Sequence, residues 1–424
     1  MDFKSIIKEQ REELEKIEET EKIIKRAGLE ESKKLLKYPN ILAILGIRRS
    51  GKSIFSYLLA KQYKFAYINF DDERLVGLKS DDLNKILESF YELYGDIEYI
   101  ILDEIQNVDN WELFVNRLRR TKKIILTGSN SKLLSGELST HLTGRYLDKI
   151  LFPFSFKEFL KLKEVKENKV YTTKEKAEIM KTLQEYLEIG GFPEAYKFGK
   201  GIISKIYEDI LTKDILLRYK ITKKEEIKKL AKYLITNSSE EITYSKLANI
   251  FNIKHISTIS NWISHFENAF LIFKLERFDF KLKQQFIAPK KIYSIDSGLM
   301  NFIGFKFSEN RGKVIENEVA LELQRKKFAN LSFEVYYWKD HQQNEVDFII
   351  KKDKKIEQLI QVSYINSKEE IKEREINALL KASKQLNCNN FLIITWDYEA
   401  EEKIKGEKKI KFIPLWKWLL ESKI

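Results

Sequence analysis

The run Gly46-Ile47-Arg48-Arg49-Ser50-Gly51-Lys52-Ser53 constrains this 424-residue chain more than any other stretch. It fits Gly-x-x-x-x-Gly-Lys-Ser/Thr, follows the apolar run Ile41–Leu45 and leads into a helical pattern over Ser53–Gln62. Glycines at these positions let the backbone curl until successive N–H groups point inward, and a helix starting there adds positive potential. The pattern predicts a polyphosphate cradle lined by Gly46, Ile47, Arg48, Arg49, Ser50, Gly51, Lys52, Ser53 and Ile54, with ATP and Mg2+ as the groups bound. Lys52 would reach the β and γ phosphates, and the Ser53 hydroxyl would ligate Mg2+. Arg48 and Arg49 either touch phosphate or pair with nearby acids.

Such a cradle needs a carboxylate at the end of a later buried strand. Tyr99-Ile100-Ile101-Leu102-Asp103-Glu104 supplies it about fifty residues on. Asp103 is expected in the Mg2+ shell, and Glu104 would orient and help deprotonate the attacking water, positioning and charge stabilisation supplying most of the rate. The next apolar run, Ile124–Leu126, ends in Thr127-Gly128-Ser129-Asn130. Asn130 either touches the γ-phosphate or the water, or caps a helix. In Thr143-Gly144-Arg145 the guanidinium either completes the site of a neighbouring subunit in a homo-oligomer or makes a surface salt bridge.

Around these residues, short apolar runs (Ile41–Leu45, Phe65–Phe70, Tyr99–Leu102, Lys123–Leu126) alternate with helical patterns (Asp81–Tyr94, Trp111–Arg119). That alternation predicts a parallel sheet covered on both faces. Residues 3–38 read as one or two charged helices, and residues 155–235 as helical, opened by the capping-box spacing Ser155-x-x-Glu158 and interrupted at Gly190–Pro193. Two short helices and a β-leaning run, Phe270–Phe280, suit a winged helix-turn-helix. Beyond 305, a helix (Val314–Lys326), β-rich runs (Phe333–Trp338, Glu345–Ile350, Gln358–Val362), a helix near 368–386 and Phe391–Thr395 indicate a separate α/β unit.

Charge and cysteine narrow the class. Of a net charge of +12, residues 200–300 carry a large share, with 18 Lys and Arg against 11 Asp and Glu. This excess marks either a double-stranded DNA contact through residues 230–300 or the solvation of lysine-rich helix faces. The single Cys388 excludes an intramolecular disulfide framework. No apolar stretch approaches the roughly 18 residues of a spanning helix, and the first forty residues are charged, not a signal core. A cytoplasmic protein without a membrane partner is expected.

The loop 46–53 (GIRRSGKS), 99–112 (YIILDEIQNVDNWE), 126–134 (LTGSNSKLL) and 142–159 (LTGRYLDKILFPFSFKEF) resemble, in order and spacing, the AAA-type ATPases of archaea and bacteria, in the P-loop class with a catalytic glutamate after a strand. The stretches 190–194 (GGFPE), 207–218 (YEDILTKDILLR), 294–299 (SIDSGL), 312–323 (GKVIENEVALEL) and 337–348 (YWKDHQQNEVDF) resemble the C-terminal domain of unknown function that accompanies these ATPases. The resemblance implies an α/β chain: a P-loop NTPase parallel sheet with a helical lid, a winged-helix segment and a C-terminal restriction-endonuclease-like domain. The expected division is an N-terminal helical segment (1–38), ATPase core (39–160), lid or linker (161–230), winged helix (231–300) and degenerate nuclease-like domain (301–424). In the winged helix, Lys254, His255, Ser257, Thr258, Ser260, Asn261 and His265 would face a groove or phosphates, although Glu267 opposes DNA.

In the nuclease-like domain Glu316 or Glu318 matches the helix acid and Asp347 the strand acid, but Gln361-Val362-Ser363 lacks the third carboxylate and the lysine. That loss should cost orders of magnitude in hydrolysis. The expected activity is therefore ATP hydrolysis, with Lys52, Glu104, Asn130 and Arg145 as catalytic residues and Ser53 and Asp103 as metal ligands. Its nucleotide state would drive a basic C-terminal module. A low-turnover ATP-controlled switch for a protein partner and an ATP-gated DNA nuclease are the alternatives.

Overall fold

The computed structural model describes residues 2–131, 142, 144–305, 311–404 and 408–421. It comprises two compact units: Met1–Pro153 with Asn268–Phe270, and Phe154–Glu267 with Leu271–Ile424.

The first unit opens with two helices, α1 (Phe3–Thr20) and α2 (Leu29–Leu35). Asp2 caps α1 by accepting the Ser5 N–H at 3.2 Å, and Phe3, Ile6, Ile7, Gln10 and Leu14 fall on its buried face. Then strands and helices alternate: β1 (Ile41–Leu45), α3 (Lys52–Ala60), β2 (Phe65–Asn69), α4 (Asp82–Tyr94), β3 (Tyr99–Asp103), α5 (Trp111–Leu118), β4 (Lys123–Gly128) and β5 (Tyr146–Ile150). The strands form one parallel sheet in the order β2-β3-β4-β1-β5. Every residue of β1 and β3 is buried, as helices on both faces of a parallel sheet require. Leu42, Ile44, Phe55, Leu59, Ile101 and Ile125 form its core, each fully buried aliphatic or aromatic side chain contributing about 1.5–3 kcal/mol. This is the P-loop NTPase architecture. The alternating residues of β5, Tyr146-Leu147-Asp148-Lys149-Ile150, carry too few apolar side chains to read as a strand unaided.

The sheet's strand order positions the site. Because β4 lies between β1 and β3, Leu45 sits beside Gly128 and Leu102 beside Leu126. The loop after β1, the acids ending β3 and Ser129-Asn130 after β4 therefore open on one edge, at the carboxyl ends of the strands.

In the second unit the helices Phe156–Leu162, Thr173–Ile189, Pro193–Phe198, Ile202–Asp209 and Lys224–Thr236 come first. Ser155 and Glu158 make the capping box reciprocally, and Ile210–Leu217 is wound as a π-helix. Asp296 Oδ2 accepts the Gly191 N–H at 2.5 Å, so 190–194 and 294–299 meet. A Cβ on Gly190 (φ 88°) would stand 2.1 Å from Asp296 Oδ1, which excludes any larger residue there. A three-stranded antiparallel sheet follows, ordered β6 (Glu240–Ile242), β8 (Lys290–Ser294), β7 (Ile272–Glu276), with the helices Tyr244–Ile250 and Ile256–Asn268 between β6 and β7.

After the helix Arg311–Ala329 comes a mixed sheet ordered β13-β14-β12-β11-β10-β9, from β9 (Phe333–Lys339), β10 (Glu345–Lys352), β11 (Lys355–Val362), β12 (Phe391–Thr395), β13 (Ala400–Lys403) and β14 (Lys409–Pro414). The helix Glu373–Leu386 covers it with Ala378, Leu379, Ala382 and Leu386 against Val346, Ile349, Leu359 and Ile393. It starts later than the sequence pattern predicts, after a 3-10 turn at Lys368–Glu370. Among the described residues no helix is long and apolar enough to cross a membrane.

Candidate active site

Backbone geometry builds the cradle. Gly46 has φ 152°, and a Cβ there would stand 2.1 Å from the Leu151 carbonyl oxygen. Gly51, at φ 92°, turns the chain into α3, whose second-turn Phe55 N–H donates back to the Gly51 carbonyl at 2.9 Å. Ser50 is fully buried and its Oγ has no protein partner, an orphaned donor inside the loop. Ile47 is buried, while Ile54 packs on the sheet core and offers the site only its backbone. Arg49 adopts φ 63° in the loop. Arg48 pairs with Asp71 at 2.7 Å, one of the two outcomes its sequence allows.

The charged groups converge on the loop. Lys52, 5% exposed, donates from Nζ to the Ile47 carbonyl at 3.2 Å and lies 3.3 Å from Glu104 Oε1. Glu104 takes a left-handed backbone (φ 52°) directly after β3, which turns its carboxylate back toward α3. Its Oε2 accepts the Ser129 N–H at 3.1 Å and the Ser129 hydroxyl at 3.0 Å, together with the Gln106 amide. Burial pushes this carboxyl up, but the Lys52 and Arg48 charges and the Gln106 and Ser129 bonds outweigh it and hold it at about 2. Glu104 is thus ionised across the physiological range.

Asp103 is enclosed differently. Its Oδ2 accepts the Tyr67 hydroxyl at 2.7 Å, its Oδ1 the Thr127 hydroxyl, and the Ser53 hydroxyl also bonds to it. Burial and then the Glu104 charge push its carboxyl up, against those three donors. Thr127 Oγ1 also accepts the Glu104 N–H at 3.0 Å. A hydroxyl and a carboxylate side by side, both oxygen ligands, match what Mg2+ takes. Together with the glycine cradle and the orphaned Ser50 hydroxyl, the residues fit a nucleotide and its divalent ion.

Two contributors, Tyr67 and Arg26, carry no sequence motif. Tyr67, Thr127, Ser129 and Gln106 hold the two acids, and Arg26 donates to the Ser50 carbonyl at 2.7 Å and the Phe152 carbonyl at 2.6 Å. Parallel register could have found Thr127, one step past the Leu102–Leu126 pair. Arg26 sits in a charged stretch that resembles a solvated surface. Asn130 is fully buried next to Ser129, and it is Ser129 that donates to Glu104 through both its N–H and its hydroxyl. Arg145 lies elsewhere. It immediately precedes β5, whose Tyr146 pairs with Ile41, at the sheet edge opposite Gly46, and while exposed it donates to the side-chain Oδ1 of Asn116 at 3.2 Å. It contributes nothing to the loop of its own chain, and its neighbour Thr143 lies outside the described residues.

In the second unit, Glu316 and not Glu318 meets Asp347: Lys291 Nζ is 3.0 Å from Glu316 Oε1, 2.5 Å from Glu345 Oε1 and 3.3 Å from Asp347 Oδ1. Glu318 faces Arg325 (3.3 Å) and Tyr186 (3.0 Å) instead. On the Ile256–Asn268 helix and just before it, Lys254, His255, Ser257 and Asn261 are exposed, Thr258 and Ser260 half-buried, and His265 stacks on Tyr219 at 3.7 Å. Glu267 pairs with Lys274 at 2.8 Å.

Known proteins share this layout. An AAA domain family matches residues 38–160, and two domains of unknown function, DUF8612 and DUF4143, match 180–309 and 311–418. The uncharacterized protein MJ1544 of Methanocaldococcus jannaschii is 41% identical over 401 residues, 90% of this chain and 89% of its own. An uncharacterized protein of Haemophilus influenzae is 30% identical over 406 residues, 90% of this chain and 94% of its own. The Walker-type ATPase PABY2304 of Pyrococcus abyssi is a solved structure similar over 66% of this chain and 96% of its own, at 16% identity and a TM-score of 0.45.

Proposed function

The chain belongs to the family of the M. jannaschii protein MJ1544, with an AAA domain near its front, and from that premise we propose that it is a Mg2+-dependent ATPase. One observation carries the reading: Lys52, Ser53, Asp103 and Glu104 converge on a single glycine-turned loop. Loop N–H groups would hold the phosphates, with Lys52 leaving Glu104 for the β and γ oxygens. Ser53 and Asp103 would hold Mg2+, which neutralises charge developing between the phosphates. With Lys52 drawn to the phosphates, Glu104 would orient the attacking water and help deprotonate it, its carboxylate aimed by Ser129 and Gln106. Lys52→Ala should lose nucleotide binding, and Glu104→Gln should bind ATP but turn over about 10²–10³ times more slowly. Equal ATP binding by Lys52→Ala and the parent would end this reading.

The proposed domain division is the one expected above: helical segment 1–38, ATPase core 39–160, lid 161–230, winged helix 231–300 and nuclease-like domain 301–424. The succession helix, strand, two helices, strand, short helix (Leu282–Ile287), strand supports the winged helix. The basic excess, with exposed Lys254, His255, Ser257 and Asn261, supports double-stranded DNA as its partner. ATP hydrolysis stimulated by duplex DNA, and lost as salt rises, would bear this out. Arg145, exposed and away from its own loop, would act in trans in a homo-oligomer. The Lys52–Glu104 pair favours a second reading, a low-turnover switch whose water-orienting carboxylate stays engaged until a protein partner releases it.

A further inference from the structure

Lys291, on β8, is 3% exposed at the side chain, yet its ammonium sits among three carboxylates drawn from two elements of the terminal α/β region. Glu316 comes from the helix Arg311–Ala329, and Glu345 and Asp347 from β10. The restriction-type resemblance implies a divalent metal here, held by the helix acid and the strand acid. The residues present do not fit one.

The inward oxygens are already taken. Glu316 Oε1 accepts both Lys291 and the Tyr293 hydroxyl (2.9 Å), and Asp347 Oδ1 faces Lys291. Two of the outward oxygens are taken as well: Asp347 Oδ2 by the Gln361 amide (2.6 Å) and the Val362 N–H (2.9 Å), Glu345 Oε2 by Lys339 (3.2 Å). Gln361 turns its amide to Asp347 Oδ2 and its carbonyl accepts the Asp347 N–H at 3.4 Å. Among the described residues no three metal-binding side chains converge in ligating geometry. The same cavity, about 470 Å3, is lined by Glu375, which is 8% exposed and whose Oε2 has no partner. Lys291 and Lys339 thus meet the charge of Glu316, Glu345 and Asp347 from inside the protein.

We infer that Lys291 is a built-in counter-cation standing where a divalent metal would bind, so that the terminal domain is sealed against metal and the lysine instead fastens β8 to its carboxylates. An ammonium on a strand can neutralise the acids without activating water, because it has protons to donate and no coordination site to fill. The carboxylates then serve adhesion between segments, and this chain has no route to metal-dependent phosphodiester cleavage through them.

Mn2+ binding to the full-length, nucleotide-free protein tests this, and since no nucleotide is added the outcome is independent of ATP hydrolysis. Asp103→Asn serves as background, to remove the metal-holding carboxylate of the phosphate loop. There, calorimetry and the melting shift in millimolar Mn2+ should be unchanged by Asp347→Asn. Lys291→Met should gain a Mn2+ site and a Mn2+-dependent rise in melting temperature, both removed by adding Asp347→Asn. A Mn2+ site in the parent that disappears with Asp347→Asn would overturn the inference, as would folded Lys291→Met without a new site. If Lys291→Met does not fold alone, refolding on Mn2+ addition supports the assignment and failure to refold overturns it.

Discussion

Two of the buried lysines that face carboxylates, Lys52 and Lys291, are held in opposite ways. Lys52 touches one carboxylate and one carbonyl at 3.3 and 3.2 Å, on a loop shaped to receive something else. Lys291 touches three carboxylates and is enclosed by strand and helix. The number of acids decides what the cation can do. One acid leaves an ammonium that a more highly charged phosphate can draw away; three make its departure prohibitive, because the acids it abandons would be buried without charge compensation. Similar chemistry thus yields a releasable group in one unit and a fixed one in the other.

Truncating each lysine gives the widest contrast. Lys291→Ala should cost about 3–5 kcal/mol in urea unfolding of the second unit. Lys52→Ala without nucleotide should cost far less in the first unit, because Arg48, Ser129 and Gln106 still neutralise Glu104. Equal losses would erase the distinction. Next in size is Arg26→Ala, which frees the Ser50 and Phe152 carbonyls from a buried guanidinium; nucleotide affinity should fall by the equivalent of about 1.5–3 kcal/mol, read by titration with a labelled ATP analogue. Tyr67→Phe removes one donor from Asp103 and should weaken Mg2+-dependent hydrolysis by about 1 kcal/mol of transition-state stabilisation, measured as turnover against Mg2+.

Glu104 also gives the stability a pH dependence. The Glu104 carboxyl is depressed from its ordinary 4.5 to about 2 in the folded chain, so the folded state binds its proton less tightly than the unfolded one. Its stabilisation is complete above 4.5 and drains away as pH falls toward 2. The melting temperature of the parent minus that of Glu104→Gln should therefore be flat from neutrality down to about 4.5 and shrink below it. A difference that grows on acidification would contradict the sign.

The phosphate loop and its acids were legible because chemistry there is local: two glycines, a lysine and a serine within eight positions, then a buried strand ending in acid. The sheet was legible where strands are apolar on both faces, as in β1 and β3, and not in β5, where Asp148 and Lys149 break the pattern. β8 escaped for a related reason. Lys290 and Lys291 look like solvent-facing residues, and only partners far along the chain explain their burial. Choosing Ser129 over Asn130 as the residue that bonds Glu104, or Glu316 over Glu318, needs side-chain directions that neighbouring positions do not reveal.

The Thr127 hydroxyl has a single proton, and it is committed to Asp103, leaving a lone pair to receive the peptide N–H of Glu104. The polarity of this relay is therefore fixed, running from amide to oxygen to carboxylate. If Asp103 took up a proton of its own on that oxygen, the hydroxyl would have to swivel, and the amide beyond it would lose its register. What arrives at one acid is in this way transmitted, through a single atom, to the backbone that aims the other.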